Sequence, residues 1–315
     1  MTDDELQSLR RRAERTFGEQ PIETAIKPVR AIVGPRMPRG QELAESARKK
    51  LKDGQPPAPS ELAALEVMIR LLRPALLVQN GALDPLPATN VFAVELAGLW
   101  EGFRPQAATL AFSVGRIDSG SGEHLGTGFL VAPDRIVTNH HVLEALSFGT
   151  FELEPGMGEI RFQQQWDPAD TEGPVSITRV IADEPFLDIA LLEIAPPPGV
   201  TRPVLTFAAR DPRDGDMVAV LGYPMRDVER RNPRFTEMLF ESKYDIKRAS
   251  PGEIVRRVTP IAFHDCSTLG GNSGSPVLSM NSAEVVGLHR SGAFMYRNEA
   301  VGVEALRGFV ESAGT

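Results

Sequence analysis

The sequence has a single cysteine, Cys266, so no disulfide can form within the chain and a reducing compartment is favoured. It contains neither a CxxC nor an HExxH spacing, so its five histidines do not indicate a zinc site. No apolar run is long enough to span a membrane. The acidic start "MTDDELQSLRRRAER" is unlike a secretory signal. These absences predict a soluble, cytoplasmic protein with no metal and no membrane partner.

The negative charge is unevenly distributed. The formal net charge is −8, yet residues 1–105 carry 15 Lys+Arg against 14 Asp+Glu, which leaves −9 for residues 106–315. An acidic C-terminal part argues against a nucleic-acid partner there. We interpret the basic clusters "RRRAER" and "RKKLK" as solvated helix faces.

The residue types and the hydrophobic pattern of the chain change near residue 105. The segments "DDELQSLRRRAERTF", "GQELAESARKKLKDG" and "PSELAALEVMIRLLRP" have the residue types and charge placement of helices, and Ser60 is the expected N-cap of the third. From about Ala107, short β-prone runs such as "ATLAFSVGRI", "RIVTNHHV" and "DIALLEI" alternate with turn residues. We predict a small helical domain over residues 1–105 and an all-β sandwich or barrel pair over residues 106–315, closed by the helix "VGVEALRGFVESAGT".

Three residues of the β region lie in contexts that suit a nucleophile, its base and an orienting acid. His141 follows a β-branched run, and its imidazole is able to accept a proton near pH 7. Asp188 is an isolated acid among apolar residues in "FLDIALLEI" and needs a partner. Ser273 lies in "GGNSGSP", where glycines let the backbone fold tightly enough to aim amides at an oxyanion.

Each of these residues alone has a structural explanation that is more common than the catalytic one. A histidine is more often a structural hydrogen-bonding residue, and a loop serine says less still. Their joint order His, Asp, Ser matches one known triad architecture and differs from the Ser, Asp, His order of α/β-hydrolases.

The segments "GTGFLVAPDRIVTNHHV", "DIALLEI" and "DCSTLGGNSGSPV" together resemble the chymotrypsin-fold (trypsin-like) serine peptidases, above all their bacterial glutamyl-endopeptidase-like and high-temperature-requirement-like branches. The resemblance covers about residues 107–315. It implies an all-β double barrel with six strands in each barrel, preceded here by the helical domain. It also implies a catalytic triad of His141 (not His140) as base, Asp188 as acid and Ser273 as nucleophile.

The same resemblance implies the surroundings of the nucleophile. The backbone N–H groups of Gly271 and Ser273 would form the oxyanion hole. Thr268 and His289 match the positions that bind the P1 side chain in glutamyl endopeptidases, which implies a preference for Glu or Gln at P1. Asn272 stands where digestive members have an aspartate, so activation by a newly cut N-terminus is not expected.

These residues predict a serine endopeptidase that cleaves a protein or peptide substrate through an acyl-enzyme and needs no cofactor. A catalytically silent adaptor of the same fold is the alternative, and an esterase-type hydrolase is a third possibility. The helical domain is open to three interpretations: a recruitment or sensor module that binds a protein partner, an inhibitory cover, or an oligomerisation unit.

Overall fold

The N-terminal part is helical, as its residue pattern predicts. The computed structural model describes residues 3–27, 38–87, 94–163, 172–226, 233–293 and 297–314. Its first helices are α1 (Asp3–Phe17), α2 (Ile22–Ala25), α3 (Pro38–Lys52) and α4 (Pro59–Arg70). Helix α4 departs from the prediction at its start. Ala58, not Ser60, is the N-cap, because Pro59 takes the first helical position and the Glu61 carboxylate accepts the Ala58 N–H at 2.6 Å.

A short hairpin and a long helix link these helices to the β region. The hairpin consists of β1 (Leu76–Gln79) and β2 (Ala82–Leu83), and helix α5 follows at Val94–Leu110. Helix α5 therefore crosses the predicted boundary near residue 105. It also occupies the first part of the run "ATLAFSVGRI", which we predicted to be a strand. Trp100 on this helix is fully buried in the largest apolar cluster, and this tertiary packing outweighs the local β propensity.

The first barrel is a closed ring of six antiparallel strands in the order β3-β4-β5-β8-β7-β6. Its strands are β3 (Val114–Ser119), β4 (His124–Ala132), β5 (Arg135–Thr138), β6 (Gly158–Arg161), β7 (Val175–Glu184) and β8 (Ile189–Ile194). Helix α6 (His140–Leu146) follows β5 directly. Inward-facing side chains such as Ile117, Ile136 and Leu192 fill the barrel.

The second barrel closes in the same way. Helix α7 (Pro233–Leu239) lies between its first two strands, and helix α8 (Val303–Ala313) ends the chain as predicted. Its strands are β9 (Met217–Gly222), β10 (Arg248–Val258), β11 (Ile261–His264), β12 (Pro276–Ser279), β13 (Val285–Ala293) and β14 (Arg297–Gly302). They pair in the order β9-β10-β11-β14-β13-β12, and β12 returns to β9. The predicted double barrel is confirmed.

Strand β10 also joins the second barrel to the N-terminal part. Its last residues pair with β11, whereas at its start Ala249 pairs with Leu76 of β1. The hairpin thus extends the barrel sheet by two strands. Among the described helices, none combines the length and the apolar character that crossing a membrane requires.

Candidate active site

Strand register explains how His141 and Asp188 come together. Strands β5 and β8 are antiparallel neighbours, and Thr138 at the end of β5 lies opposite Ala190 near the start of β8. The residues that follow Thr138 and those that precede Ala190 therefore leave the barrel at the same edge. His141, in the first turn of α6, reaches Asp188 there across 47 residues of sequence.

The imidazole of His141 contacts both oxygens of the Asp188 carboxylate through its Nδ1. Its Nδ1 lies 3.0 Å from Oδ1 and 2.9 Å from Oδ2 of Asp188, and the His141 backbone N–H donates to Oδ1 at 3.0 Å. The side chain of His141 is 45% exposed and that of Asp188 is 17% exposed. The carboxylate is thus shielded and fixes the ring, while nearly half of the His141 side chain stays exposed.

Asp188 does not lie within a strand, as its apolar neighbours suggested, but immediately before β8. Its φ angle is +60°, a left-handed conformation that Asp and Asn adopt more readily than most residues. The buried Asn139 supports this turn by donating its side-chain amide to the Asp188 carbonyl at 2.7 Å. Asn139 is part of the "TNHH" run, but we did not predict this role from the sequence.

The Ser273 loop is held tightly against strand β4. Thr127, which is fully buried, donates its hydroxyl to the Gly271 carbonyl at 2.7 Å and its backbone N–H to the Ser273 carbonyl at 2.8 Å. On the other side of the loop, the Gly274 N–H donates to the carbonyl of His289 on β13 at 2.9 Å. Both barrels therefore anchor the loop. No pattern in the sequence singled out Thr127 for this role.

Gly274 is required by its backbone conformation and by its surroundings. Its φ angle is +86°, and a Cβ atom there would overlap with the Thr127 carbonyl oxygen. We expect Gly274→Ala to lower the free energy of unfolding by about 2–4 kcal/mol, the combined cost of a left-handed residue and of overpacking. Gly270→Ala is the control, because its Cβ would meet only the flexible end of Met225 at 3.3 Å. Denaturant titration of both variants tests this, and equal losses would contradict it.

The segment that follows His141 and the Ser273 loop come close together at Gly126. A Cβ atom on Gly126 would lie 2.7 Å from Cγ2 of Val142, the residue after His141, and 3.1 Å from the Ser273 carbonyl oxygen. The Ser273 hydroxyl forms no hydrogen bond to the described residues. Hydrogen bonds between a nucleophile and its base are often long without substrate and shorten when substrate binds.

The predicted oxyanion donors are available. Neither the Gly271 N–H nor the Ser273 N–H donates to an acceptor within the described part of the chain. Gly271 has a φ angle of +81° and packs on the ring of His124, whose Cε1 would lie 2.6 Å from a Cβ at Gly271.

The ring of His124 is itself held by two hydrogen bonds. Its Nδ1 lies 2.8 Å from the Asp245 carboxylate, and its Nε2 lies 3.1 Å from the Gly126 carbonyl. Both partners are acceptors, so both bonds form together only when the ring carries two protons.

Thr268 and His289 lie on one side of the loop and are both buried. Thr268 donates its hydroxyl to Oδ1 of Asn298 at 3.0 Å. His289 Nδ1 lies 3.1 Å from Nε2 of His264, and both histidines are buried. Burial and, to a smaller extent, the nearby His141 lower the pKa of His289 to about 3, so His289 is neutral at physiological pH. His264 has no sequence motif of its own, and only its position at the end of β11 brings it to His289.

Cys266 is a packing residue. It is buried in the apolar cluster of the second barrel with side chains such as Val220 and Val277. Burial first, and then the negative charge of Asp265, raise the pKa of its thiol. The thiolate that oxidation and metal binding require is therefore disfavoured.

The sequence that builds this site matches a known family of proteins. Residues 126–288 match the family model of the trypsin-like peptidase domain, which takes in just over half of the chain. This chain belongs to the trypsin-like peptidase family. The matched range includes His141, Asp188 and Ser273 and ends one residue before His289.

Curated relatives agree with this family. The chain is 30% identical over 164 residues to the serine protease Rv3671c of Mycobacterium tuberculosis (strain ATCC 25618 / H37Rv) and to the serine protease MT3772 of strain CDC 1551 / Oshkosh. The matches cover 52% of this chain and 35% of each relative. The chain thus spans about a third of the length of the curated relatives it matches.

A solved structure has the same trypsin-like fold. A Glu endopeptidase, whose structure was determined in complex with MPD, superimposes with a TM-score of 0.50 and 20% sequence identity. The superposition covers 64% of this chain and 90% of the other. At this identity the likeness concerns the fold alone.

Proposed function

We propose that this trypsin-like peptidase is a serine endopeptidase in which Ser273 is the nucleophile, His141 the general base and Asp188 the residue that orients the base. The observation that carries the proposal is the carboxylate of Asp188 at 2.9 and 3.0 Å from Nδ1 of His141. A carboxylate at Nδ1 keeps the proton on that nitrogen, so Nε2 is left with a lone pair for the serine proton. Val142, the residue after His141, and the Ser273 carbonyl both lie beside Gly126, which supports placing the two side chains in one site.

Each of the three proposed triad side chains then has a defined role in acyl transfer. Ser273 Oγ attacks the carbonyl carbon of a peptide bond, and its proton passes to Nε2 of His141. The same imidazolium protonates the leaving amine, while Asp188 stabilises its charge. Water activated by His141 then releases the acyl group from Ser273.

The oxyanion of the tetrahedral intermediate would be bound by the N–H groups of Gly271 and Ser273. Their lack of acceptors among the described residues supports this role, because donors that are already paired would have to break a hydrogen bond first. The contacts of Thr127 with the carbonyls of both residues hold these amides in place before substrate arrives. Preorganised donors of this kind are among the largest contributions to acyl-transfer catalysis.

We also propose that the pocket formed by Thr268 and His289 accepts Glu or Gln at P1. Nδ1 of His264 is buried and has no partner among the described residues. An unpaired buried N–H is rarer than an unpaired acceptor, so the proton of His264 belongs on Nε2, where it donates to Nδ1 of His289. His289 then carries its own proton on Nε2, which bonds to no described residue and is available to donate to a carboxylate or amide oxygen.

A peptide-library digestion read by mass spectrometry tests both proposals. We expect cuts after Glu or Gln with the wild-type protein and no cuts with Ser273→Ala. Cuts after other residues would retain the triad and reject the P1 pocket. Equal patterns of cuts from both proteins would contradict the triad, and silence from both would favour a catalytically silent adaptor. The cytoplasmic location and a protein partner of residues 1–105 stay predictions.

A further inference from the structure

The segment from His264 to Leu269, "HDCSTL", links β11 to the nucleophile loop and is buried throughout. Its side chains alternate between two surroundings, as expected for an extended chain. The even-numbered residues face the second barrel: His264 contacts His289, Cys266 packs in the barrel cluster and Thr268 bonds to Asn298. We call residues 264–269 the pocket-wall segment.

The odd-numbered side chains of this segment face the N-terminal part of the chain. Asp265 binds two arginines from residues 1–75, Ser267 donates its hydroxyl to the Arg73 carbonyl at 2.8 Å, and Leu269 packs with Ala75 in a small apolar cluster. Every second side chain of the pocket-wall segment therefore contacts residues outside the two barrels.

Asp265 is the centre of this contact. Its Oδ2 accepts hydrogen bonds from Arg12 Nη2 at 2.9 Å and from Nε and Nη2 of Arg73 at 3.0 and 2.7 Å. Its Oδ1 accepts the backbone N–H of Glu253 at 2.7 Å. Arg12 also binds Glu66 on α4, with Nη1 at 2.7 Å and with Nη2 at 2.9 Å, so its Nη2 bridges the two carboxylates. Burial alone would raise the pKa of Asp265, but Arg73 and Arg12 outweigh it and hold this pKa well below its usual range.

Stability alone does not account for such an arrangement. Two guanidinium groups and a carboxylate lose their hydration when they are buried, and this cost offsets most of their attraction. Apolar side chains of similar volume could fill the same space at comparable stability. Forked hydrogen bonds from arginine add what apolar packing lacks, which is a defined position and orientation of the carboxylate.

We propose that the N-terminal helices position the P1 pocket of the peptidase through Asp265, with Arg12 and Arg73 as positioning residues. This inference rests on the proposed function, because it gives a role in substrate selection to residues that touch no substrate. The connection is short: Asp265 lies between His264 and Cys266, and Thr268 follows three residues later. A shift of the Asp265 carboxylate would therefore move Thr268 and also His264, which bonds to the pocket donor His289. The helices would act as part of the active peptidase rather than as a detachable module.

The test compares Arg12→Lys with Arg15→Lys in the full-length protein. Both residues lie on α1, but Arg15 contacts the Gly215 carbonyl and Glu253 instead of Asp265. Lysine keeps the charge but has one ammonium group in place of the two nitrogens with which Arg12 bridges Glu66 and Asp265. A displacement of about 1 Å can lower a rate by about 100-fold. We therefore expect Arg12→Lys to lower kcat/KM for the preferred P1 residue by about 10- to 100-fold relative to a P1 alanine substrate. Arg15→Lys should leave this ratio within about 2-fold, since it leaves Asp265 untouched.

Active-site labelling separates the possible failures. A small fluorophosphonate reacts with the nucleophile and needs little of the P1 pocket, so its rate of Ser273 labelling should change less than the P1 ratio. If Arg12→Lys does not fold by circular dichroism, Arg73→Lys replaces it, with the same expected result. An unchanged P1 ratio in a folded, labelled variant would overturn this inference alone. A wild-type protein that neither labels nor cleaves would overturn the proposed function and this inference together.

Discussion

Replacing His141 by alanine should lower kcat by about 10⁶-fold, and Ser273→Ala should have an effect of the same size. The double variant should be no slower than either single variant, because each replacement removes the same step. The hydroxyl of Ser273 is not nucleophilic without a base, and the imidazole of His141 has no proton to accept without the hydroxyl. Steady-state hydrolysis of one good peptide from the library digestion measures all three variants.

His140→Ala is the matched control for this prediction. His140 precedes the proposed base and is also a histidine paired with an aspartate, since its Nδ1 lies 3.0 Å from Asp183. Its ring stacks on Phe151 at 4.8 Å and forms no hydrogen bond or ion pair with the Ser273 loop among the described residues. We expect activity within about 10-fold of wild type, in line with the loss of one partly buried pair. A larger loss in His140→Ala than in His141→Ala would show that the base is misassigned.

Asp188→Asn should lower kcat by about 10⁴-fold near pH 7 and leave the fold intact. Asparagine tolerates the left-handed φ of +60°, and its carbonyl oxygen can still accept the His141 backbone N–H at the position of Oδ1. Its NH₂ group would then face Nδ1. An amide donor at Nδ1 forces the imidazole proton onto Nε2, so the ring can no longer accept the proton of Ser273.

Asp183→Asn provides the comparison, because it makes the same chemical change beside His140. It should change kcat by less than about 10-fold, as expected for a partly exposed pair that lies outside the proposed triad. The thermal midpoints of both variants should stay near that of the wild type if only the tautomer has changed. An Asp188→Asn enzyme with more than a tenth of wild-type kcat would show that Asp188 does not orient the base.

Local sequence patterns predicted several helices and strands of this protein. Helix α1 coincides with "DDELQSLRRRAERTF", and the strand at the start of "RIVTNHHV" was expected from its β-branched run. Prediction was wrong where a distant contact outweighed local preference. Helix α5 continues into "ATLAFSVGRI" because Trp100 anchors it in the large core, and Asp188 lies before β8 in a left-handed turn supported by Asn139.

No sequence pattern predicted the contacts of Asp265. Arg12 and Asp265 are 253 residues apart, and no spacing rule links an arginine of a helix to an aspartate at a strand end over that distance. The same holds for His264 and His289, which antiparallel pairing of β14 with both β11 and β13 brings to neighbouring positions.

Residue order and local chemistry therefore establish the family resemblance, the expectation of two barrels and the identity of the three proposed catalytic residues. These features depend on short segments whose glycines, β-branched runs and turns act over a few residues. The tertiary structure determines which of these residues come within contact distance of one another. Closure of the first barrel sets Thr138 opposite Ala190 and so brings His141 to Asp188, while packing of the N-terminal helices brings Arg12 to Asp265. Such contacts form only when the hydrogen bonds of whole sheets and the burial of whole helices align residues that are far apart in the chain.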